Sequence, residues 1–182
     1  RCKDGSYRWL EWHAVPAGPM IYAAARDITE RIFTEDALRT SEARLRAISD
    51  NLPGGMIYQI IISPHGERRF TYVSNSVERM HEVTVDDVLK DASILYNQIA
   101  EEDRPGLILE EEKCIEEMKT FRMEARSVLP SGLVRWMKIT SQPRTLPSGE
   151  ILFDGLEIDI NELKLTEQAL RESEERFAKA FQ

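Results

Sequence analysis

The chain has 182 residues, 42% hydrophobic and 31% charged, a balance that supports a packed globular core and excludes a disordered or membrane-spanning class. Its 24 Lys and Arg against 32 Asp and Glu give a formal net charge of −8, and a negative chain repels phosphate backbones, which argues against nucleic acid as a partner. Two cysteines, Cys2 and Cys114, build neither a disulfide framework nor a four-cysteine zinc site, and no apolar run approaches the ~20 residues of a bilayer span, so a cytoplasmic segment is expected, whether or not a parent protein is membrane-anchored.

In chain order, residues 7–14 and 20–28 are predicted to be strands joined around Pro16-Ala17-Gly18-Pro19. A helix is predicted over about 34–50, with Leu38, Leu45 and Ile48 on one face and Asn51-Leu52-Pro53-Gly54-Gly55 stopping it. Residues 56–62 are apolar and β-rich. Ser63-Pro64-His65-Gly66 reads as a turn, and 70–74 as the next strand. Short helices fill 76–102, one of them opened by the capping pattern Thr84-Val85-Asp86-Asp87. A longer helix over about 103–119 carries the stripe Leu107, Ile108, Glu111, Cys114, Ile115 and Met118. Residues 121–126 alternate, with Phe121, Met123 and Ala125 on one face and Arg122, Glu124 and Arg126 on the other. Strands follow over 133–141 and 151–160. The last helix carries Leu163, Leu170 and Phe177 at heptad spacing. Helices inserted among antiparallel strands, all packed against one face, make an α+β fold.

The chain also repeats itself. Asp4-Gly5-Ser6-Tyr7-Arg8-Trp9 matches Ser131-Gly132-Leu133-Val134-Arg135-Trp136. Asp27-Ile28-Thr29-Glu30 matches Asp159-Ile160-Asn161-Glu162, and Ala37-Leu38-Arg39-Thr40-Ser41-Glu42 matches Ala169-Leu170-Arg171-Glu172-Ser173-Glu174. The second copy is longer between its glycine and its aspartate, through the stretch Pro143–Gly149, which suits the tip of a hairpin. The expected organisation is the closing strand pair of one unit (1–29), a linker helix (30–50), a complete unit (51–160) and a helix opening a third (161–182).

These strings resemble the PAS family of sensory domains. Tyr72-Val73-Ser74-Asn75-Ser76-Val77-Glu78 resembles the junction from the second strand to the first inserted helix, with Asn75 where many relatives carry proline. Glu101-Glu102-Asp103-Arg104 resembles the acidic opening of the long helix. Gly132 with Arg135-Trp136 resembles the closing strand pair, and Asp159-Ile160-Asn161-Glu162 resembles the Asp-Ile-Thr signature that starts the signalling helix. The resemblance implies a five-stranded antiparallel sheet with helices on one face, flanked by signalling linkers. It implies an input module of a bacterial multi-domain sensor, a histidine kinase in a two-component phosphorelay, with a diguanylate cyclase as the alternative parent. It further implies a homodimer through the linker helices, neighbouring PAS and output domains as partners, and Asp27, Asp159, Leu163, Leu170 and Phe177 as relay residues. A ligand-free dimerisation or spacer module is the alternative.

The candidate pocket between sheet and helices comprises Tyr58, Ile60, Tyr72, Met80, Leu95, Ile99, Glu111, Met123 and Met137, mostly apolar with few polar groups, as small-molecule sites are. A filled core would use the same residues. Glu111 is expected at an edge of the stripe with its carboxylate in water; at the mouth of the pocket it would instead favour a cationic or hydrogen-bond-donating ligand, since a buried carboxylate needs partners. His65 is expected in a loop, His81 in packing and His13 in solvent. No two histidines have zinc-ligand spacing. Haem-binding relatives use a histidine in the helical region, where His81 is the one weak candidate. Flavin-photosensing relatives need an Asn-Cys motif that 76–102 lacks, so neither haem nor flavin has a signature here. Cys114 is expected to pack as a small hydrophobe. The chain shows no phosphate-binding loop, no nucleophile elbow, no ATP-binding boxes and no cyclase signature, so catalysis is not expected of this segment.

Overall fold

The first two alternating segments pair with each other in the computed structural model, which describes residues 2–180. Strand β1 (Leu10–Ala17) and β2 (Met20–Asp27) run antiparallel from Leu10↔Asp27 to Ala17↔Met20, joined at Gly18-Pro19. Gly18 has φ 62°, a left-handed conformation that glycine reaches without Cβ strain. β1 begins later than the sequence suggests, because residues 2–6 are held in a turn in which Asp4 Oδ1 accepts the Ser6 N–H at 2.9 Å. Every side chain of this hairpin is exposed, Trp12 at 65% and Tyr22 at 61% included. Helix α1 (Thr29–Asp50) starts earlier than predicted, because Asp27 Oδ1 accepts the Thr29 N–H at 3.0 Å and satisfies one of the donors a helix start leaves open. The chain divides into two compact units, Arg1–Ala47 and Ile48–Gln182.

The second unit holds a five-stranded sheet in the order β4-β3-β7-β6-β5, with every neighbouring pair antiparallel. Its strands are β3 (Gly55–Ile62), β4 (Arg68–Val73), β5 (Phe121–Val128), β6 (Val134–Thr145) and β7 (Ile151–Asp159). Between β4 and β5 lie α2 (Ser76–His81), α3 (Val85–Lys90), α4 (Ser93–Gln98) and α5 (Arg104–Glu117). Helix α6 (Asn161–Ala180) follows β7. This is the α+β architecture expected, with the first and last strands of the sheet, β3 and β7, side by side in its interior. The capping pattern acts as its chemistry dictates, since Thr84 Oγ1 accepts the Asp87 N–H at 3.2 Å.

Helices and sheet bury a core in which Val77, Val88, Ala125 and Met137 are fully covered. Val77, Val88 and Met137 each contribute roughly 1.5–3 kcal/mol by leaving water. Strand β4 does not alternate simply. Tyr58 pairs with Val73, Gln59 with Tyr72 and Ile60 with Phe70, so Thr71 is an extra residue, a β-bulge. Phe70 and Val73 therefore both face the core, and Tyr72 lies on the other face.

At the entry to the unit, Asp50 at the end of α1 accepts from the Asn75 N–H at 2.8 Å and from Asn75 Nδ2 at 2.9 Å. Its carbonyl accepts from Arg79 Nη2 at 3.0 Å. A proline at position 75 would offer neither Asn75 donor.

The two copies of the repeat share one register. Leu10 faces Asp27 as Met137 faces Asp159, and Pro16 faces Ile21 as Pro143 faces Phe153. The added length of the second copy therefore lies beyond these pairs, toward the turn at Leu146–Glu150, where hairpins accept insertions. Residues 1, 181 and 182, at the ends of the expected first and last segments, lie outside the described residues.

Candidate functional site

Between the sheet and the helices of the second unit lies a cavity of about 60 Å³. That is less than half the ~150 Å³ of an engineered protein cavity that takes up benzene, yet room for more than one water. Met56, Tyr58 and Ile60 of β3 form its floor with Phe70, Ile139 and Phe153 of neighbouring strands. Leu95, Tyr96, Ile99 and Leu107 close it from the helices, and Phe121, Ser141, His81, Glu111 and Glu157 complete the wall.

The cavity owes its floor to one glycine. Gly155 stands opposite both Tyr58 and Ser141. A Cβ on Gly155 would lie 2.1 Å from Tyr58 Cζ, so the phenol ring rests directly on the glycine backbone. Phe70 meets that ring edge-on at 5.8 Å. Burial, with Glu157 adding to it, holds the Tyr58 phenol pKa far above its ordinary value, and the ring stays neutral.

At one polar end, Glu111 is 7% exposed and fully engaged. Its Oε1 accepts the Tyr96 O–H at 2.5 Å, and its Oε2 accepts from Arg68 Nη2 at 2.6 Å and Nε at 3.1 Å. The guanidinium also lies 5.1 Å from the Tyr96 ring centroid. Burial works against the Arg68 charge, but Glu111 outweighs it and raises the pKa. Burial and the Glu111 carboxylate together push the Tyr96 phenol well up. The expectation of a Glu111 carboxylate in water is corrected here: it lines the cavity, its charge is matched by Arg68, and both its oxygens accept hydrogen bonds from protein donors.

At the other end, His81 and Glu157 are buried together, at 2% and 5% exposure. Gln98 Nε2 donates to the His81 carbonyl at 3.0 Å, which turns the Gln98 Oε1 toward His81 Nδ1 at 2.8 Å. Nδ1 therefore carries a proton. His81 Nε2 lies 3.2 Å from Glu157 Oε1, but the alignment falls short of a hydrogen bond and both atoms lack a partner. Burial works to lower the His81 pKa, yet the carboxylate beside it wins and the net shift is upward.

Of the candidate pocket residues, Tyr58, Ile60, Leu95, Ile99 and Glu111 line the cavity. Tyr72 does not, because the bulge at Thr71 turns it to the opposite face, where it lines an open groove. Met80 and Met137 are buried in the core off the cavity wall: His81, one residue on, takes the wall position of α2, and Met137 sits at the junction end of β6 opposite Asp159. Met123 is half-buried under α5, its Cε within 3.6 Å of where a Cβ on Gly106 would stand. Arg68, Tyr96 and Glu157 are not among the sequence candidates, and His81 is expected in packing, with only a weak haem-ligand reading beside it. The signal for Glu157 was an acid in phase with Phe153 and Gly155. Leu152, Leu156 and Ile158 hold the alternate positions, so that apolar residues stand in both phases of β7. Cys114 is buried on α5, and burial first, then Glu110, raises its thiol pKa.

The junction to α6 is built from backbone outward. Ile160 N–H donates to the Trp136 carbonyl at 2.9 Å, and Asp159 N–H to the Gly54 carbonyl at 2.7 Å. Asp159 Oδ1 accepts the Asn161 N–H at 2.9 Å, and Asn161 Oδ1 accepts the Trp136 N–H at 3.0 Å. Arg135 Nη1 donates to the carbonyls of Arg79 at 3.2 Å and Met80 at 3.5 Å, and lies 3.8 Å from Asp159 Oδ2. Lys164 pairs with Glu124 at 2.6 Å over the Trp136 ring, which fastens the first turn of α6 to the sheet. Further along α6, Leu163, Leu170 and Phe177 are all exposed. Among the described residues, no cluster of His, Cys, Asp and Glu could hold a metal ion, and no helix is long and apolar enough to cross a membrane.

The family model described as the PAS fold matches residues 70–154. No curated protein matches the chain. Among solved structures, a sensory box histidine kinase/response regulator from Burkholderia thailandensis is similar at 20% identity and a TM-score of 0.52, over 68% of this chain and 91% of that one. The N-terminal domain of a diguanylate cyclase with PAS/PAC sensor from Marinobacter aquaeolei is similar at 16% identity and 0.51, over 60% and 98%. A domain of a putative light and redox sensing histidine kinase from Haloarcula marismortui is similar at 18% identity and 0.50, over 65% and 99%. The matched residues and the strand order together give the second unit of this chain the PAS fold.

Proposed function

We propose that this chain is a sensory input module in which the state of the cavity is passed through β7 to helix α6. One observation carries this reading: Glu157 lines the cavity, and two residues on, Asp159 holds the first N–H of α6. Arg135 supports it, because the same guanidinium reaches both Asp159 and the end of α2, next to His81. A bound molecule shifts such an element only by unequal affinity for its two arrangements. A second input enters at Asp50, where α1 is tied to Asn75 and Arg79 of α2, so a neighbouring unit can act on the same helix.

The output is proposed to be a histidine kinase of a two-component phosphorelay, the kind of protein from which two of the three structural relatives come; a diguanylate cyclase is the alternative. The proposed assembly is a homodimer through the linker helices. The exposed seam of Leu163, Leu170 and Phe177 favours pairing of α6, and also keeps the ligand-free dimerisation module as a second reading. Native mass spectrometry of the purified chain separates the two. An added mass that is lost on denaturation is expected for the sensor, whereas a bare dimer moves the assignment to the dimerisation module. Asp159→Ala is expected to leave the fold intact and to uncouple the full-length parent from its stimulus; unchanged signalling would refute the relay.

A further inference from the structure

The cavity offers a ligand few polar handles. Glu111 has both oxygens occupied, and the Tyr96 hydroxyl is already used on it. The unsatisfied polar atoms are His81 Nε2 and Glu157 Oε1, 3.2 Å apart, buried and without a hydrogen-bond partner. With Nδ1–H committed to Gln98, Nε2 donates in the doubly protonated ring that the adjacent Glu157 carboxylate favours, and Oε1 accepts. Their charges cancel, as do those of Arg68 and Glu111, so the wall is electrically balanced. A cation or an anion entering it would stay unpaired, which is costly in an apolar cavity. The rest of the wall is aliphatic and aromatic, and the volume admits only a few heavy atoms.

We infer that the cavity binds a small neutral molecule with one hydroxyl on an apolar body, the oxygen accepting from His81 Nε2 and the proton given to Glu157 Oε1. This rests on the sensory reading above and names its ligand class. A hydroxyl supplies one acceptor and one donor on one atom, matching the two open atoms. A ketone of the same shape satisfies His81 and leaves Glu157 open. A carboxylate faces Glu157 with like charge, and an ammonium brings three donors to a single free acceptor.

The test is a titration of the full chain, labelled with ¹⁵N-histidine, with 2-propanol, acetone, acetate and isopropylammonium at matched concentrations. The His81 Nε2 resonance is the readout. Saturable movement is expected with 2-propanol, at least about tenfold weaker binding with acetone, and none with either ion, since a site built to pair both groups penalises a probe that leaves one unpaired. Glu157→Met, which keeps the bulk and removes the acceptor, is expected to erase the preference for 2-propanol over acetone. Should that variant not fold, the rank order in the unaltered chain decides. Equal binding of acetone or of an ion overturns the inference, and so does the absence of any His81 shift. If all four probes fail while native mass spectra show a bound mass, the ligand class falls and the sensory reading stands. If the spectra are bare as well, both fall.

Discussion

The two copies of the closing hairpin agree at the junction and differ at the cavity wall. In the first, Trp9 N–H donates to Thr29 Oγ1 at 2.8 Å; in the second, Trp136 N–H donates to Asn161 Oδ1 at 3.0 Å. Asp27 and Asp159 each cap the helix that follows. The arginines differ. Arg8 lies against Asp27 at 2.8 Å, whereas Arg135 stands 3.8 Å from Asp159 and donates to carbonyls of α2. In the shared register, Ala25 stands where Glu157 does and Ala23 where Gly155 does. The junction is thus a local device, written in a few residues. What the second copy adds is a polar wall and an arginine diverted toward it, and both require the surrounding domain.

The sharpest way to break this comparison is to strike the wall alone. Glu111→Ala strands a guanidinium and a phenol that are both partly or fully buried, and about 3 kcal/mol of stability should go, the low end for breaking a buried pair because Arg68 keeps some solvent. Urea unfolding followed at Trp136 measures it, and the hydrogen bonds at Thr29 should be untouched. Gly155→Ala comes next. It gives the second copy the residue type of the first at that position and drives the Tyr58 ring into the cavity, at about 1–3 kcal/mol for overpacking. A crystal structure with the ring unmoved would refute the account of the floor. Asn75→Pro keeps the φ of −59° and deletes both bonds to Asp50, at about 1 kcal/mol, with faster amide exchange at the end of α1 as its signature.

The smallest effect is on pH. Folding raises the His81 pKa, so the folded chain holds a proton that the unfolded chain releases near pH ~6.5. Its stabilisation is complete below that pH and disappears as pH climbs through the raised value. The urea midpoint should fall with pH over that window, and less so in His81→Gln. Equal slopes would remove His81 from the account.

Much of the fold was legible because it is periodic. Phe121, Met123 and Ala125 alternate with charged residues, and Thr84 caps where its hydroxyl must. The repeat exposed the junction, since Asp27 and Asp159 act through bonds spanning two residues. The cavity was legible only in part. A bulge adds one residue and reverses which side chains face inward, and nothing in Phe70-Thr71-Tyr72-Val73 announces it. His81 and Glu157 lie far apart in the chain, and only the folded domain brings them side by side. Asn75 was noticed as a departure from the family pattern, but its use as a tie to Asp50 became visible only with the end of α1 beside it.

Cys114 turns the long helix into a timer. Its thiol is buried, and its raised pKa leaves little thiolate at neutral pH. An alkylating reagent should therefore consume the half-exposed Cys2 first and reach Cys114 only during excursions of α5 away from the sheet. The slow phase of that reaction counts how often the roof lifts, and an occupied cavity should lengthen the interval between openings.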